Sequence, residues 1–108
     1  MSSDSTVTSV FSKRLKQARL RTDLTQEQLG ILAGIDEFSA SARVNQYEKG
    51  KHAPTVQTGQ RLARALQVPT SFLYEEDDLL AGLLMIAGRL SKEKKRALIS
   101  TAETLAQE

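Results

Sequence analysis

The chain has 108 residues, of which 40% are hydrophobic, enough for one small domain with an appendage. It contains no cysteine and one histidine, His52, which excludes disulfides, thiolate metal sites and cysteine nucleophiles and makes a structural zinc site unexpected. Net charge is +2, unevenly placed: ten Lys/Arg stand against five Asp/Glu between residues 10 and 70, and five against seven from 71 to 108.

The polar, acidic start "MSSDSTVTS" is unlike a signal peptide. The longest apolar run, 79–87, is far short of the roughly 20 residues a membrane span needs, so a cytoplasmic protein is expected. Residues 1–8 read as a flexible tail. Thr8 or Ser9 can cap a first helix to about Arg21, whose Phe11, Leu15 and Ala18 recur at i, i+4, i+7 and whose other face is strongly basic. In "TQEQLGILAG", Thr25 and Gln28 form a capping-box pair, opening a helix from Gln26 to about Ala33 that Gly34 ends. Gly30, inside it, costs about 1 kcal/mol relative to alanine and implies close approach of a neighbouring helix.

"IDEFSAS" is expected to be a connector, with Ser39 or Ser41 capping a third helix at about 40–49 that Gly50 terminates. That helix is unusual: in "SARVNQYEKG" the apolar Val44 and Tyr47 form a thin stripe under a wide polar face. After the loop "KHAPT", Thr55 caps a fourth helix burying Val56, Gly59, Leu62, Ala63 and Leu66. A short turn follows Pro69 and carries Phe72 and Leu73. Acidic "EEDD", 75–78, begins a helix that is apolar nearly all round and is expected to be buried on several sides. Ser91 caps a last helix with Leu98, Ala102 and Leu105 on one face.

Catalysis finds no support. The single histidine lies in a Lys/Pro loop, no Gly-x-Ser-x-Gly elbow or phosphate-cradling glycine loop is present, and "EEDD" lacks the spacing of a calcium loop. Neither enzyme nor cofactor is expected. A capped helix followed by a polar helix, with a basic helix before them, is instead the layout of a helix-turn-helix, whose second helix enters the DNA major groove. Asn, Gln and Arg offer the paired groups that base edges require.

"LTQEQLGILAGI", "VNQYEKGKHAPT" and "RLARALQVP" together resemble the lambda-repressor/Cro-like (XRE) helix-turn-helix family of bacterial and phage transcriptional regulators. The likeness rests on Thr25, Gln26, Leu29, Gly30, Gly34 and Ile35, then Val44, Asn45, Glu48, Gly50, Pro54 and Thr55, then Leu62, Ala63, Ala65, Leu66 and Val68. It implies an all-α fold with a five-helix DNA-binding domain over 9–75, while the apolar excess of Leu79, Leu80, Leu83, Leu84, Met85, Ile86 and Leu90 assigns the one or two C-terminal helices of 76–108 to dimerisation. The resemblance implies that Ser41, Ala42, Arg43, Asn45 and Gln46 face bases, and that Gln26, Lys49 and Lys51 contact phosphate. Arg19 and Glu48 would form a partly buried structural clamp.

The implied partner is double-stranded DNA bearing a palindromic operator, bound by a homodimeric repressor that sits on the nucleoid. No small-molecule ligand is evident. An antitoxin or a restriction-modification controller would share this headgroup, and a protein-interaction adaptor is the alternative from another class. One departure stands out: Gly34 and Gly50 are sixteen positions apart where the family commonly has about twelve. The additional residues are assigned to the connector, with Phe38 expected to fold back onto the apolar Ile31 and Leu32.

Overall fold

A computed structural model describes the backbone of residues 3–108 and the side chains from residue 9 onward. Helices α1 (Ser3–Leu20), α2 (Gln26–Leu32), α3 (Glu37–Glu48) and α4 (Val56–Leu66) lead to a 3₁₀ turn (Thr70–Tyr74), then to α5 (Asp78–Ala87) and α6 (Lys92–Gln107). The described residues contain no strand and no helix long and apolar enough to cross a membrane. The fold is all-α, and the fifth element of the headpiece is a 3₁₀ turn.

Phe11, Leu15 and Ala18 of α1 meet Leu29 of α2, Val44 and Tyr47 of α3 and Leu62, Ala63 and Leu66 of α4 in one core, closed below by Phe72 and Leu73. Phe11 anchors it, with its ring edge-on to Tyr47 at 6.5 Å and tilted against Tyr74 at 5.3 Å. The Thr25–Gln28 capping box forms in full. Gly34 (φ 85°) and Gly50 (φ 74°) end α2 and α3 in the left-handed conformation. At these ends Ile35 N–H reaches Gly30 C=O and Lys51 N–H reaches Gln46 C=O, satisfying carbonyls that the helices leave open. Gln67 fills the same role after α4 at φ 58°, where most side chains are strained.

Several expectations need correction. Helix α1 starts at Ser3, so residues 3–8 extend it. No glycine or proline interrupts that stretch; residues 1 and 2 lie outside the described part. "IDEFSAS" is helix. Asp36 caps α3 by accepting from Phe38 N–H at 3.2 Å, ahead of Ser39 and Ser41, because Ala40 must extend the buried stripe of Val44 and Tyr47. Phe38, 90% exposed, does not fold back, and Ile31 and Leu32 are exposed too. Val56, in the first turn of α4, lies beyond the edge of the core and is exposed.

Helix α5 is buried on one side only, through Ala81 and Met85 with Leu84 half-buried, while Leu79, Leu83 and Ile86 face outward. What ties α5 to the headpiece is Arg14, one of the basic residues of α1. Its side chain is buried; it donates to the Glu75 and Glu76 carbonyls and to Asp78, and lies 5.8 Å over the Phe72 ring. Hydrogen bonds from Arg14 and Lys13 hold the Asp78 carboxyl below its ordinary range. Helix α6 buries none of its residues.

The α2–α3 crossing depends on Gly30. A methyl there would stand 2.7 Å from Ala40 Cβ and 3.0 Å from its Cα, and the second contact is backbone that cannot step aside. Gly30→Ala should therefore lower stability by about 1–3 kcal/mol through overpacking, despite alanine's better helix propensity. Denaturant unfolding checks this, and an equal or higher midpoint would refute it.

Candidate nucleic-acid interface

Helix α3 has two faces set by its periodicity. Ala40, Val44 and Tyr47, at i, i+4, i+7, are buried. At about 100° per residue, Phe38, Ala42, Asn45 and Lys49 fall on the opposite ridge, flanked by Ser41 and Gln46. Ser41, Ala42 and Arg43 are exposed, and Asn45 and Gln46 are half-buried. Lys49 and Lys51 are exposed where the chain leaves the helix.

The aim of this ridge is fixed from behind. Arg19 reaches from α1 and donates from Nε to Glu48 Oε2 at 2.6 Å and from Nη2 to Oε1 at 3.0 Å, a two-point fork. Its remaining Nη1 donates to the Leu24 carbonyl at 3.3 Å, holding the α1–α2 turn as well. Glu48 retains 3% side-chain exposure and Arg19 14%, so the pair is largely desolvated. Hydrogen bonding to Glu48 raises the Arg19 pKa above its ordinary value, and the guanidinium stays charged throughout the working range. Ser12 adds a second tie from α1, donating to the Tyr47 carbonyl at 2.6 Å.

Gln26 joins this network from α2. Its amide nitrogen donates to Glu48 Oε1 at 3.0 Å and to Asn45 Oδ1 at 3.2 Å. Both amide hydrogens are thus spent on α3, where the sequence pattern had placed them on phosphate. The bond to Asn45 leaves the Asn45 amide as a free donor pointing away from Gln26. Arg19, Gln26, Asn45 and Glu48 therefore come together as one bonded chain across α1, α2 and α3.

Arg43 lies apart from that chain. With Gln46, His52, Pro54, Thr55 and Thr58 it borders an open notch of about 410 Å³ between α3 and the start of α4. Thr55 caps α4 by accepting from Thr58 N–H at 3.2 Å and donates to Thr58 Oγ1 at 3.1 Å. Sequence reasoning assigned Thr55 to capping alone and missed Thr58 and His52 as neighbours of Arg43. The two threonines three apart at a helix start were the signal. Among the described residues no group of His, Asp or Glu could hold a metal ion.

This geometry of two crossed helices, with the second presenting a polar ridge flanked by lysines, is that of a helix-turn-helix reader. The helix-turn-helix family pattern matches residues 15–73, more than half of the chain. The chain belongs to the XRE-type helix-turn-helix family. It is a DNA-binding transcriptional regulator, a class that is not enzymatic. A solved structure, that of the transcriptional regulator BswR, is 46% identical and superposes with a TM-score of 0.81, covering 90% of this chain and 98% of that one. The cryptic phage CTXphi transcriptional repressor RstR of Vibrio cholerae is 27% identical over 101 residues, 89% of this chain and 87% of that protein.

Glu48→Ala would leave the Arg19 guanidinium largely buried without its partner and free the Gln26 amide. Fully buried pairs broken in this way lose roughly 3–5 kcal/mol, and the partial exposure of Arg19 lowers the expectation to about 2–4 kcal/mol. Thermal unfolding tests the value, and an unchanged midpoint would show that the clamp is dispensable.

Proposed function

We propose that the protein is a repressor that binds a palindromic operator as a homodimer, with α3 in the major groove. The observation carrying this reading is the polar ridge of α3, held out from the core by the Arg19–Glu48–Gln26 network and left wet on the side facing away from it. Ser41, Ala42, Arg43, Asn45 and Gln46 are the base-facing residues, Asn45 through its free amide and Ala42 through contact with a thymine methyl. Phe38 extends the ridge by an apolar contact of the same kind. Lys49 and Lys51 hold phosphate, and Gln26 approaches the backbone through its main-chain N–H because its side chain is committed. Similarity to a protein named as a phage repressor supports repression, in which an occupied operator excludes polymerase. The working location is the cytoplasm, on the nucleoid.

The DNA-binding unit is residues 9–75 and the dimerisation region 76–108. Leu79, Leu83 and Ile86 recur at i, i+4, i+7 on the outer side of α5 and are 47–88% exposed, and Ile99 and Leu105 of α6 are also exposed. One subunit leaves these side chains wet; a second copy would cover them.

Selection of bound sequences from random DNA tests the reading. A palindrome with half-site centres roughly 34–36 Å apart is expected, bound with an affinity that falls steeply with salt. Gln46→Ala should relax one base preference by about 1–3 kcal/mol, while Lys51→Ala should weaken all sites alike. No enrichment at low salt would favour the adaptor reading instead. For the dimer, a cut at residue 75 is a poor test because it removes Ala81 and Met85 from the core. Leu83→Glu in the full chain should sediment as a monomer and lose roughly tenfold or more in operator affinity. A dimeric Leu83→Glu variant with full affinity would place the interface elsewhere.

A further inference from the structure

A large cavity lies away from α3. It is an open cleft of about 780 Å³ where the ends of α1, α4 and α5 meet the start of α6, bounded by Arg21, Arg64, Arg89 and Lys95 over a floor that includes Val68 and Pro69. No acid lines it. The ion pairs among the described residues are Lys13–Asp78, Arg14–Asp78 and Arg19–Glu48, so none of these four cations has an ionic partner.

Three of them have a partial counterweight. Arg21, Arg64 and Arg89 stand at the C-terminal ends of α1, α4 and α5. Each such end carries about half a negative charge, which offsets at most about 1.5 of the four positive charges. The start of α6, beside Lys95, restores part of that. An excess of at least two positive charges thus converges on a concave surface of ligand size. The cleft and the notch beside α3 lie at opposite ends of α4: Thr55 and Thr58 border the notch, Arg64 and Gln67 the cleft. On that helix Thr58 and Arg64, the nearest bordering residues, stand six positions apart, about 9 Å along the axis.

We propose that this cleft binds a small polyanion carrying adjacent phosphates, of nucleoside-diphosphate size. The cations take the phosphates, and the Val68–Pro69 floor takes a flat ring. Arg21 and Arg64 belong to the headpiece, Arg89 follows α5 and Lys95 stands in the first turn of α6, so the ligand bridges the headpiece and the start of α6. It thereby acts as an effector that biases how α6, which buries none of its residues, sits against the headpiece.

Pyrophosphate and ADP are titrated into the full-length protein by calorimetry at low ionic strength. Binding with a Kd below about 1 mM is expected, together with a rise in melting temperature. The exposed pair substituted together, Arg64→Gln with Arg89→Gln, should fold normally and lose about tenfold or more of that affinity, while keeping its DNA affinity. Lys51→Ala should keep the anion binding, which separates this site from the basic DNA face. The proposal is overturned if neither probe binds, if the double variant binds unchanged, or if Lys51→Ala abolishes binding. It is equally overturned if the double variant weakens all DNA sites alike with a reduced salt slope, because the cleft would then be a backbone contact.

Discussion

Helix α3 buries only Ala40, Val44 and Tyr47, too narrow a stripe to fix its rotation against the headpiece by packing alone. The Arg19–Glu48 fork supplies what packing lacks. A planar guanidinium bound at two points to a carboxylate accepts one orientation, so the pair sets the roll of α3 about its axis as well as its distance from α1. Gln26 passes that constraint to Asn45, and Arg19 Nη1 passes it to the α1–α2 turn through Leu24. A largely desolvated ion pair adds little net stability over an apolar replacement, because removing two charges from water offsets most of their attraction. Its use here is geometric: it lets the other side of α3 stay polar without the helix turning over to hide it.

The sixteen-residue spacing between Gly34 and Gly50 acquires meaning against the same constraint. Four additional residues in a helix add about 6 Å of length and about 400° of rotation, one turn plus some 40°. The buried stripe therefore stays nearly in phase, and Ala40 occupies the added turn against Gly30. The gain appears on the wet side, where Phe38 lengthens the ridge by a turn at its N-terminal end. An insertion of two residues would have rotated α3 by about 200° and exchanged the two faces. A whole added turn keeps the Glu48 fork in place while lengthening the wet side of α3.

Much of this was legible in the sequence, for local reasons. Capping boxes, left-handed glycines and i, i+4, i+7 stripes are short-range signals, and Thr25–Gln28, Gly34, Gly50, Phe11–Leu15–Ala18 and Ser91 all read directly. The start of α3 did not, because Asp36, Ser39 and Ser41 are all competent caps and the choice among them is made by the contact of Ala40 with α2, some ten residues away in sequence. Arg14 was hidden for a similar reason. Nothing in α1 shows that the acceptors for its guanidinium are carbonyls more than sixty residues on. The roles within the interface divide likewise. The clamp was implied by the family resemblance, whereas the neighbourhood of His52, Thr58 and Arg43 exists only once α3 and α4 are folded beside one another.

Arg14 also decides how the C-terminal arm can work. Its bonds to Glu75, Glu76 and Asp78, with Met85 and Ala81 in the core, make the inner side of α5 part of the headpiece. The outer side keeps Leu79, Leu83 and Ile86 in water, each a side chain worth about 1.5–3 kcal/mol on full burial. Had α5 been joined by a loose linker, a second copy seated on that stripe would bring two headpieces near one another without setting their separation. With α5 rigidly tied through Arg14, the same contact in the proposed dimer would transmit a fixed angle from the outer stripe to α3. A reader of paired half-sites needs that angle, since its two recognition helices must meet the same face of the duplex about one turn apart. In the proposed dimer the buried arginine would therefore do what the Arg19–Glu48 fork does for α3: contribute orientation where apolar packing contributes only attraction.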